Sequence, residues 1–453
     1  MITQHGLRNP GLLLGIGASL ALAAAPPVFA DPLLASETPG MEGEIVGQGA
    51  LALDDAIEIA LLNNPGLMEI GLRAEAAAAV PSQAGSLPDP MLNLLAANLP
   101  VDSFDLNQEN MTQMRIGISQ AFPFPGKLRL KKEAAEFEAA ATEHDYAQAR
   151  LNLVRDIKIE WWRLFYLDRT LEIVDRNLEL MRGLVEIAGQ KYEVGEGLQS
   201  DVVLAQLELS KLLEFEIRVI NARRASEARL IALIALPAGQ VIRLPGTTSE
   251  TLSDVANERE LLFLAEDASP LLFAQKSRVD AAGKRKDLAK RDFYPDFTLS
   301  ANYGFRSGIN PVNNQQRADF ATFGLSVKIP LYASSKQSKA LEQRRAQEQE
   351  KTLGLAQTRL LIQKEISIRL AFYEQNREQA SLFETGIIPQ AQIVVAAMRA
   401  GYLVDQVDFL NLVSAQITLY NYETRYWQVF SEAKQALAAI EATVGKELSN
   451  ETQ

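Results

Sequence analysis

The sequence predicts an internally duplicated α+β membrane protein in which short amphipathic strands lead into very long helices. Three observations predict this class. Segments of the first half recur in the same order in the second half, both halves contain strands with one apolar and one polar face, and both contain helical stretches too long for a compact globule. The chain therefore divides into a short N-terminal region followed by two similar units.

Residues 1–30 have the pattern of a secretory signal peptide. Arg8 provides a positive charge, Gly11–Ala25 is uncharged and apolar, and Val28-Phe29-Ala30 places small residues at the two positions that a signal peptidase reads. The apolar run is shorter than the roughly 20 residues that a membrane-spanning helix needs, which disfavours an uncleaved anchor. Residues 31–50 are interpreted as an N-terminal extension, and no later segment is expected to span a membrane as a helix.

The composition argues against several function classes. Asp and Glu outnumber Lys and Arg by 57 to 45, which disfavours nucleic-acid binding, and the absence of cysteine argues against disulfides, thiolate metal sites and an N-terminal lipid anchor. The two histidines are His5, in the predicted signal, and His144, which is interpreted as a solvated surface residue. Because no phosphate-binding glycine loop, GxSxG or HExxH motif occurs, the sequence predicts neither an enzyme nor a bound cofactor or metal.

The internal repeat is defined by matching motifs. GISQAFPF and GLSVKIPL place Pro123 opposite Pro330, and LPDPMLNL and YPDFTLSA place Asp89 opposite Asp296 at the same offset. A constant offset over so many positions indicates a tandem duplication. The predicted divisions are a first unit at residues 51–245, a second unit at residues 246–445 and a C-terminal tail at residues 446–453.

Each unit contains two strands separated by a polar loop. The strands are expected at about residues 89–99, 112–123, 296–305 and 319–330. The alternation is clearest in the third strand, whose apolar face carries Phe297, Leu299, Ala301, Tyr303 and Phe305. Its other face carries only small or polar side chains, as expected for a strand that is apolar on one side.

A long helical hairpin follows each strand pair, at residues 127–236 in the first unit and 335–444 in the second. From Lys127 to Tyr192 the chain has no proline, and apolar residues recur at alternating spacings of three and four, the heptad pattern of coiled-coil packing. These residues are Leu164, Leu167, Leu171, Val174, Leu178, Met181, Val185, Ala188 and Tyr192. The hairpin turns are assigned to Gly195 and Gly197 in GEGLQS, and to Gly401 in the second unit.

In each unit a strand runs directly into a long helix at a junction that contains proline. In QAFPFPGK, Pro123 and Pro125 fix φ and cannot donate to a ladder, so they end the strand. Gly126 permits a backbone angle that other residues avoid, and the helix begins at Lys127. Pro330 occupies the equivalent junction of the second unit, which an ordinary proline-glycine loop would not predict.

Four amphipathic strands per chain predict a barrel that is shared between copies of the chain. A strand with one apolar face suits a β-barrel in lipid, but four strands cannot close a barrel, and open edges are costly inside a bilayer. Three copies supply twelve strands, enough for a water-filled pore, and their helices supply a matching tube. The sequence therefore predicts a homotrimer whose 12-stranded β-barrel continues into a long α-helical tunnel.

The duplicated unit resembles the TolC-like outer membrane efflux protein family, from LALDDAIEIALLNNPGL at Leu51 to the last helix. The YPDF, PFPGK, KYEVGEG and AGYLVDQVDFLN segments lie where that family has comparable ones, and the PFPGK junction is most similar to the heavy-metal efflux branch containing CusC and CzcC. The resemblance implies a trimeric barrel in outer-membrane lipid, a tunnel across the periplasm, a periplasmic adaptor (membrane fusion) protein and an inner-membrane RND-type pump. The implied function is a passive exit duct, with heavy-metal cations as the implied substrate.

The resemblance also implies a gate at the periplasmic tips of the hairpins. The acidic D-x-x-D pair of the family falls on Asp408 and Asn411, so the second acid is an amide here, and Asp405, one turn earlier, is its candidate replacement. Ser200 and Asp201 occupy the matching place in the first hairpin. A simpler interpretation is that these aspartates begin helices and complement their dipoles.

The same pattern leaves alternative functions open. A drug-efflux channel or a type I protein-secretion channel is expected to share the plan. A periplasmic adaptor has a single hairpin between β-rich modules, and a structural coiled-coil protein does not account for paired amphipathic strands. Since the sequence contains no cluster of metal ligands, any selectivity for metal would reside in the pump.

Overall fold

The computed structural model describes residues 50–246, 251–404 and 406–448, all within one compact unit. The predicted signal peptide, the N-terminal extension before Ala50, the candidate gate residue Asp405 and the end of the C-terminal tail lie outside the described residues.

The two halves of the described chain follow the same order of short helices, two strands and a long helical hairpin, although the division into separate helices differs. The first half contains α1 (Leu53–Asn63), α2 (Pro65–Ala78), α3 (Val80–Gly85), β1 (Met91–Ala97), β2 (Gln113–Phe122), α4 (Lys127–Glu193) and α5 (Gln199–Leu233). The second half contains α6 (Glu258–Ala268), α7 (Pro270–Arg291), β3 (Asp296–Phe305), β4 (Phe320–Lys328), α8 (Gln337–Leu382), α9 (Ile388–Leu403) and α10 (Phe409–Val444). β1 is shorter than the sequence suggests, because Pro90 has no amide hydrogen for a ladder and Asn98 turns the chain with φ +54°.

The repeat extends to the backbone angles before the second helix of each half. Asn64, before α2, and Ser269, before α7, both have φ −70° and ψ 114°, and a proline follows each of them. Proline is well accommodated at the first helical position, because its missing amide hydrogen would have no partner there. The Asn64 side chain accepts a hydrogen bond from the Leu67 N–H at 3.0 Å and donates one to the Leu233 carbonyl at 2.9 Å, which ties α2 to the end of α5.

The four strands form one antiparallel sheet in the order β1-β2-β3-β4. Its central ladder joins β2 of the first half to β3 of the second, with Met114 opposite Phe305 and Phe122 opposite Phe297. In the described sheet, β1 and β4 are edge strands with one neighbour each. One face is apolar, and its exposed side chains include Leu92, Leu94, Ile116, Ile118, Leu299, Tyr303, Phe323 and Leu325.

α4 is the central helix of the unit and packs against α5, α7 and α10. Six of its predicted heptad residues are buried, namely Leu164, Leu167, Val174, Leu178, Met181 and Ala188. Tyr192 is a difference, since it is 48% exposed in the last turn of α4, where the hairpin ends. Beside the heptad residues, α4 and α10 share an aromatic cluster with ring centroids 4.9 to 5.8 Å apart, formed by Trp161, Trp162, Phe165, Trp427 and Phe430.

The long helix of the second hairpin is interrupted, whereas α4 is continuous. A π-helical turn, Phe383–Ile387, separates α8 from α9, and Pro389 lies in the first turn of α9. Proline removes an amide donor and clashes with the carbonyl four residues earlier, and a π-turn relieves both problems. The heptad pattern did not indicate this interruption.

One described stretch meets a simple length-and-composition criterion for a membrane-spanning helix, contrary to the expectation from the sequence. It is Gln337–Leu403, with a mean hydropathy of 1.2 in the qualifying window, none of which is buried. Length and composition alone are weak evidence for a span. Apolar side chains that are exposed on one chain are equally typical of a helix that packs against other copies.

Candidate functional site: strand-to-helix junctions and hairpin tips

The first junction turns the chain from β2 into α4. Pro123 and Pro125 follow the end of β2, and Gly126 has φ +92°, a left-handed angle that glycine adopts without strain. The Lys127 N–H donates to the Phe124 carbonyl at 3.0 Å, which closes the turn. The backbone thus changes period and direction within a few residues.

The same junction is held to the second half of the chain by a group of contacts that we call the junction clamp, formed by Phe124, Lys127, Asp292, Tyr294 and Asp296. The Lys127 ammonium, with only 7% of its side chain exposed, lies 2.8 Å from Asp296 Oδ1 and 3.3 Å from Asp292 Oδ1. The Phe124 N–H also donates to Asp296 Oδ1 at 2.8 Å, and the Phe124 and Tyr294 rings stack at 4.5 Å. The aspartates were missed at the sequence level, although the recurrence of Pro-Asp in LPDP and YPDF was a signal for Asp296.

The second junction connects β4 to α8. Within the described residues, no group of contacts like the junction clamp holds it. Pro330 follows β4, and a turn runs to Lys336, whose N–H donates to the Tyr332 carbonyl at 2.9 Å. Leu331 and Tyr332 are 80% and 75% exposed. This end of the edge strand therefore presents apolar surface that the described chain does not cover.

The first hairpin tip depends on two glycines between α4 and α5. Gly195 has φ +80°, and the Glu196 N–H donates to the Lys191 carbonyl at 2.8 Å. A Cβ on Gly197 would lie 3.0 Å from Lys191 Cβ and 3.1 Å from the Tyr192 backbone nitrogen. The first glycine supplies the backbone angle and the second permits the close approach.

The second hairpin tip is closed around Gly401. The Gln406 N–H donates to the Gly401 carbonyl at 2.9 Å, and a Cβ on Gly401 would press against the Val407 side chain. A larger residue at position 401 would therefore open the turn.

The two tips pack against each other. Lys191 Nζ donates to the Tyr402 carbonyl at 3.2 Å and lies 4.6 Å from the centre of the Tyr402 ring. The Tyr402 and Phe409 rings are 5.3 Å apart within an apolar cluster that also contains Met181, Ala188, Ala205, Leu412 and Val413. A displacement of one hairpin tip must therefore disturb the other. Lys191 was not among the site residues predicted from the sequence, and its place in the KYEVGEG segment was the available signal.

Among the described candidate gate residues at these tips, Ser200, Asp408 and Asn411 are exposed and Asp201 is half-buried. Asp408 is the N-cap residue of α10, and its side chain makes no capping hydrogen bond. Asn411 is on the first turn of the same helix, and its N–H donates to the Asp408 backbone carbonyl at 3.1 Å. In the first hairpin, Ser200 Oγ donates to Asp201 Oδ1 at 3.5 Å in the first turn of α5. The Asp408 carboxylate is thus not consumed in capping its own helix.

The sheet adds a polar face opposite its apolar face. In register across the four strands, Asn93, Gly117, Asn302 and Thr322 form one row, and Met91, Ser119, Ser300 and Gly324 form the next. Gly117 leaves room for the Asn302 side chain, which lies where a Cβ would be. A sheet with one apolar and one polar face is the pattern of a membrane barrel wall with lipid outside and water inside.

Among residues 50–246, 251–404 and 406–448, no three or more His, Cys, Asp or Glu side chains come together in a way that could hold a metal ion. His144 packs its ring 5.4 Å from that of Phe273.

Solved outer-membrane channels share this fold of a sheet with open edges that continues into two long helical hairpins. The outer membrane protein VceC of Vibrio cholerae superposes with a TM-score of 0.73 at 22% identity, covering 88% of this chain and 97% of VceC. CusC superposes with a TM-score of 0.74 at 17% identity, covering 87% of this chain and 92% of CusC. The solved structures of CusC concern its folding and the formation of its transmembrane channel.

The sequence comparison is specific enough to assign a family. The outer membrane efflux protein model matches residues 56–236 and 261–446, and the chain belongs to this family. A characterised relative, the cobalt-zinc-cadmium resistance protein CzcC of Cupriavidus metallidurans, is 22% identical over 412 residues, which cover 88% of this chain and 91% of CzcC. The resemblance stated from the sequence is thereby confirmed.

Proposed function

We propose that this chain is the exit duct of a tripartite efflux system, a homotrimer with a 12-stranded barrel in the outer membrane and a helical tunnel in the periplasm. It conducts substrate passively from a periplasmic adaptor and an inner-membrane RND-type pump to the exterior. The observation that carries the proposal is the four-stranded sheet, which has one exposed apolar face and two edges without a neighbour. In lipid such edges must pair, and pairing β4 of one copy with β1 of the next closes a barrel.

The helices support the same assembly. Apolar side chains of α9 are exposed in the single chain, including Ile393 at 70% and Leu403 at 59%. Exposed apolar stripes on a helix outside lipid favour packing against further helices. The tunnel in our proposal buries these side chains between copies.

The proposed substrate is a heavy-metal cation. Its support is the relative CzcC, a cobalt-zinc-cadmium resistance protein that matches along nearly its whole length. Export of drugs, or of proteins through a type I system, is the alternative. Loss of the gene should sensitise its host to cobalt, zinc and cadmium salts under our proposal, whereas sensitivity to organic drugs alone would favour the alternative.

The proposed gate is the set of polar residues at the hairpin tips. Threefold symmetry places three Asp408 carboxylates around one axis, with Asp405 and Asn411 near them in sequence and Ser200 and Asp201 on the neighbouring hairpin. Like charges brought together repel, so a closed tip holds them through hydrogen bonds or bound cations. The Asp408 side chain makes no capping hydrogen bond to its own helix, and this supports the role.

Cysteine crosslinking tests the shared barrel directly, because the chain contains no cysteine. Asn93 on β1 and Thr322 on β4 lie in one row at opposite edges of the sheet. Within one chain they are about 14 Å apart, three strand spacings, which is too far for a disulfide. Asn93→Cys combined in turn with Phe320→Cys, Thr322→Cys, Gly324→Cys or Ser326→Cys should give an oxidised trimer for at least one pair.

Each single-cysteine variant is the matched control and should yield no trimer. Native mass measurement in detergent should give three chains per particle for the unmodified protein. A monomer in detergent, together with no crosslink for any pair, would contradict the shared barrel.

A further inference from the structure

The polar face of the sheet is almost free of charge. Across its four strands the described uncharged side chains are Asn, Ser, Thr and Gln with intervening glycines and a few apolar residues, and the charged ones are Arg115, Asp296 and Lys328. Asp296 and Lys328 lie opposite each other at the end nearest the helices, and Asp296 also binds Lys127. These two charges are therefore compensated, whereas Arg115 lies at the other end of the sheet.

The Arg115 side chain lies on the polar face of the sheet, beside Gly304 of the neighbouring strand β3. In the register it lies between Leu95 on β1 and Gly304 on β3, and Phe320 on β4 completes the row. Its Cγ is 3.6 Å from the position that a Cβ on Gly304 would occupy, so its side chain shares the face of that glycine. The space that Gly304 leaves is filled chiefly by the Gln113 side chain, and the Arg115 side chain packs beside it.

Arg115 has no partner in the described parts of the chain. No hydrogen bond or salt bridge to it occurs there, and its Nε is inaccessible to solvent and unbonded. Its row neighbours Leu95 and Phe320 are apolar, and the described chain has no hydrogen bond between the guanidinium and the nearby Gln113 amide, which lies in the space left by Gly304. A charge beside apolar walls interacts more strongly with ions than one in bulk water.

The neighbouring charges at this end are engaged in the loops. Arg317 donates to the Asn107 and Glu109 backbone carbonyls at 3.2 and 3.0 Å, and the Arg306 guanidinium lies 4.3 Å from the centre of the Phe320 ring. The Asp319 carboxylate accepts the Arg306 N–H at 2.8 Å, which lowers the pKa of that carboxyl, and it also accepts the Tyr303 hydroxyl. Asp319 is therefore held at the loop and is not bonded to Arg115.

We propose that in the trimer three Arg115 guanidinium groups form a cationic ring inside the barrel near its outer mouth, which binds multivalent anions and opposes the entry of cations from outside. The inference rests on the proposed channel, because three copies must face one lumen. The helices mark the periplasmic side, so the sheet end that carries the loops is the outer one. Rings of Arg or Lys select anions in pores, and apolar residues at the same level narrow the path.

The ring is tested in planar bilayers with Arg115→Gln, which removes the charge and keeps a polar side chain. The cation-to-anion permeability ratio, measured from the reversal potential in a KCl gradient, should rise by about tenfold, the lower end of the range by which charged clefts change local ion concentration. Hexacyanoferrate added on the side of the loops should block the wild type and should not block Arg115→Gln. Arg115→Lys should behave as the wild type.

The control is Arg73→Gln, which removes an exposed arginine of α2 and should change neither property. Trimer content and circular dichroism should be unchanged in all variants, so that altered selectivity is not confused with misfolding. An Arg115→Gln channel with wild-type selectivity and block would overturn the ring while leaving the channel proposal intact. A wild-type protein that forms no channel at all would overturn both.

Discussion

At the scale of single residues, the junction clamp shows how a charge can be placed inside the fold. Lys127 is nearly buried but has two carboxylates within 3.3 Å, one of which also accepts a backbone N–H. The PFPGK motif predicts that Lys127 begins a helix. Its partner Asp296, however, is 169 residues away in the sequence. Pairing across such a distance follows from the sheet register, which composition and periodicity do not reveal.

Removing Asp296 should therefore cost more than removing an ordinary surface acid. Asp296→Ala leaves the Lys127 ammonium with only the longer contacts to Asp292 and the Tyr294 carbonyl, and it deprives the Phe124 N–H of its acceptor, so we expect a loss of about 2 kcal/mol. Glu69→Ala, which breaks an exposed pair with Arg73, is the control and should cost about 0.5 kcal/mol or less. Thermal unfolding in detergent, followed by circular dichroism, measures both. Equal effects would show that the clamp does not stabilise the junction.

At the scale of elements, a buried polar pair links the two hairpins between their tips and the aromatic cluster. Gln416 of α10 donates to Asn177 Oδ1 of α4 at 2.8 Å, and Asn177 Nδ2 donates to the Ile173 carbonyl at 2.7 Å. Both side chains are buried, so Asn177 Oδ1 and Gln416 Nε2 depend on each other for a hydrogen bond. Such a pair fixes the register of two helices whose apolar seams alone would allow sliding.

Gln416→Leu should destabilise the hairpin packing by about 1–3 kcal/mol, because it leaves the Asn177 oxygen buried without a donor. Thr418→Val is the matched control, since its exposed hydroxyl bonds only to the Ser414 carbonyl of its own helix. Unfolding midpoints in detergent compare the two variants. A control as damaging as Gln416→Leu would mean that the cross-helix hydrogen bond contributes nothing specific.

The prolines of the first junction can be separated from the loop at the other end of the sheet. Replacing Pro123 and Pro125 together with alanine should reduce the yield of assembled trimer more than replacing the loop VDSFDLNQEN, because the prolines terminate β2 whereas the loop lies at the surface. The loop is not inert, since Arg317 donates to its carbonyls. Trimer yield on gels of unheated samples measures the difference, and equal yields would remove the role assigned to the prolines.

The periodicity of apolar residues in the sequence predicts most elements of this fold. The features that it does not predict have physical reasons. The strand faces and the heptad residues of α4 follow from periods of two and three to four, and the repeat offset places the same elements in both halves. The π-turn before Pro389 is a local adjustment of the helix backbone to the proline, and no periodic pattern in the sequence predicts it. The contacts between tips, such as Lys191 with Tyr402, depend on how two hairpins lie side by side, which no single segment specifies.

At the scale of the whole molecule, the gate proposal concerns a property that exists only in the assembly. Asp408→Ala should weaken block by divalent and trivalent cations added on the periplasmic side, while trimer stability stays nearly unchanged because the side chain caps nothing in its own helix. Asp408→Arg should move selectivity toward anions. Asp405→Ala, measured in parallel, shows which ring dominates.

Asp54→Ala is the control for these variants, since it removes an acid from the first turn of α1, far from the tips in sequence. Single-channel recording in planar bilayers is the measurement. If neither tip variant changes block or selectivity, the aspartates serve only to begin their helices.

The ladder between β2 and β3 has a consequence for biogenesis. It joins strands from opposite halves of the chain, and the Phe124–Asp296 contact beside it spans 172 residues. In the export that our proposal implies, the first half arrives early, yet β2 has only β1 beside it until β3 follows. Pairings over such distances are slow to form. The nascent chain should therefore need a chaperone to cover the apolar strands of its first half until the second half has been delivered.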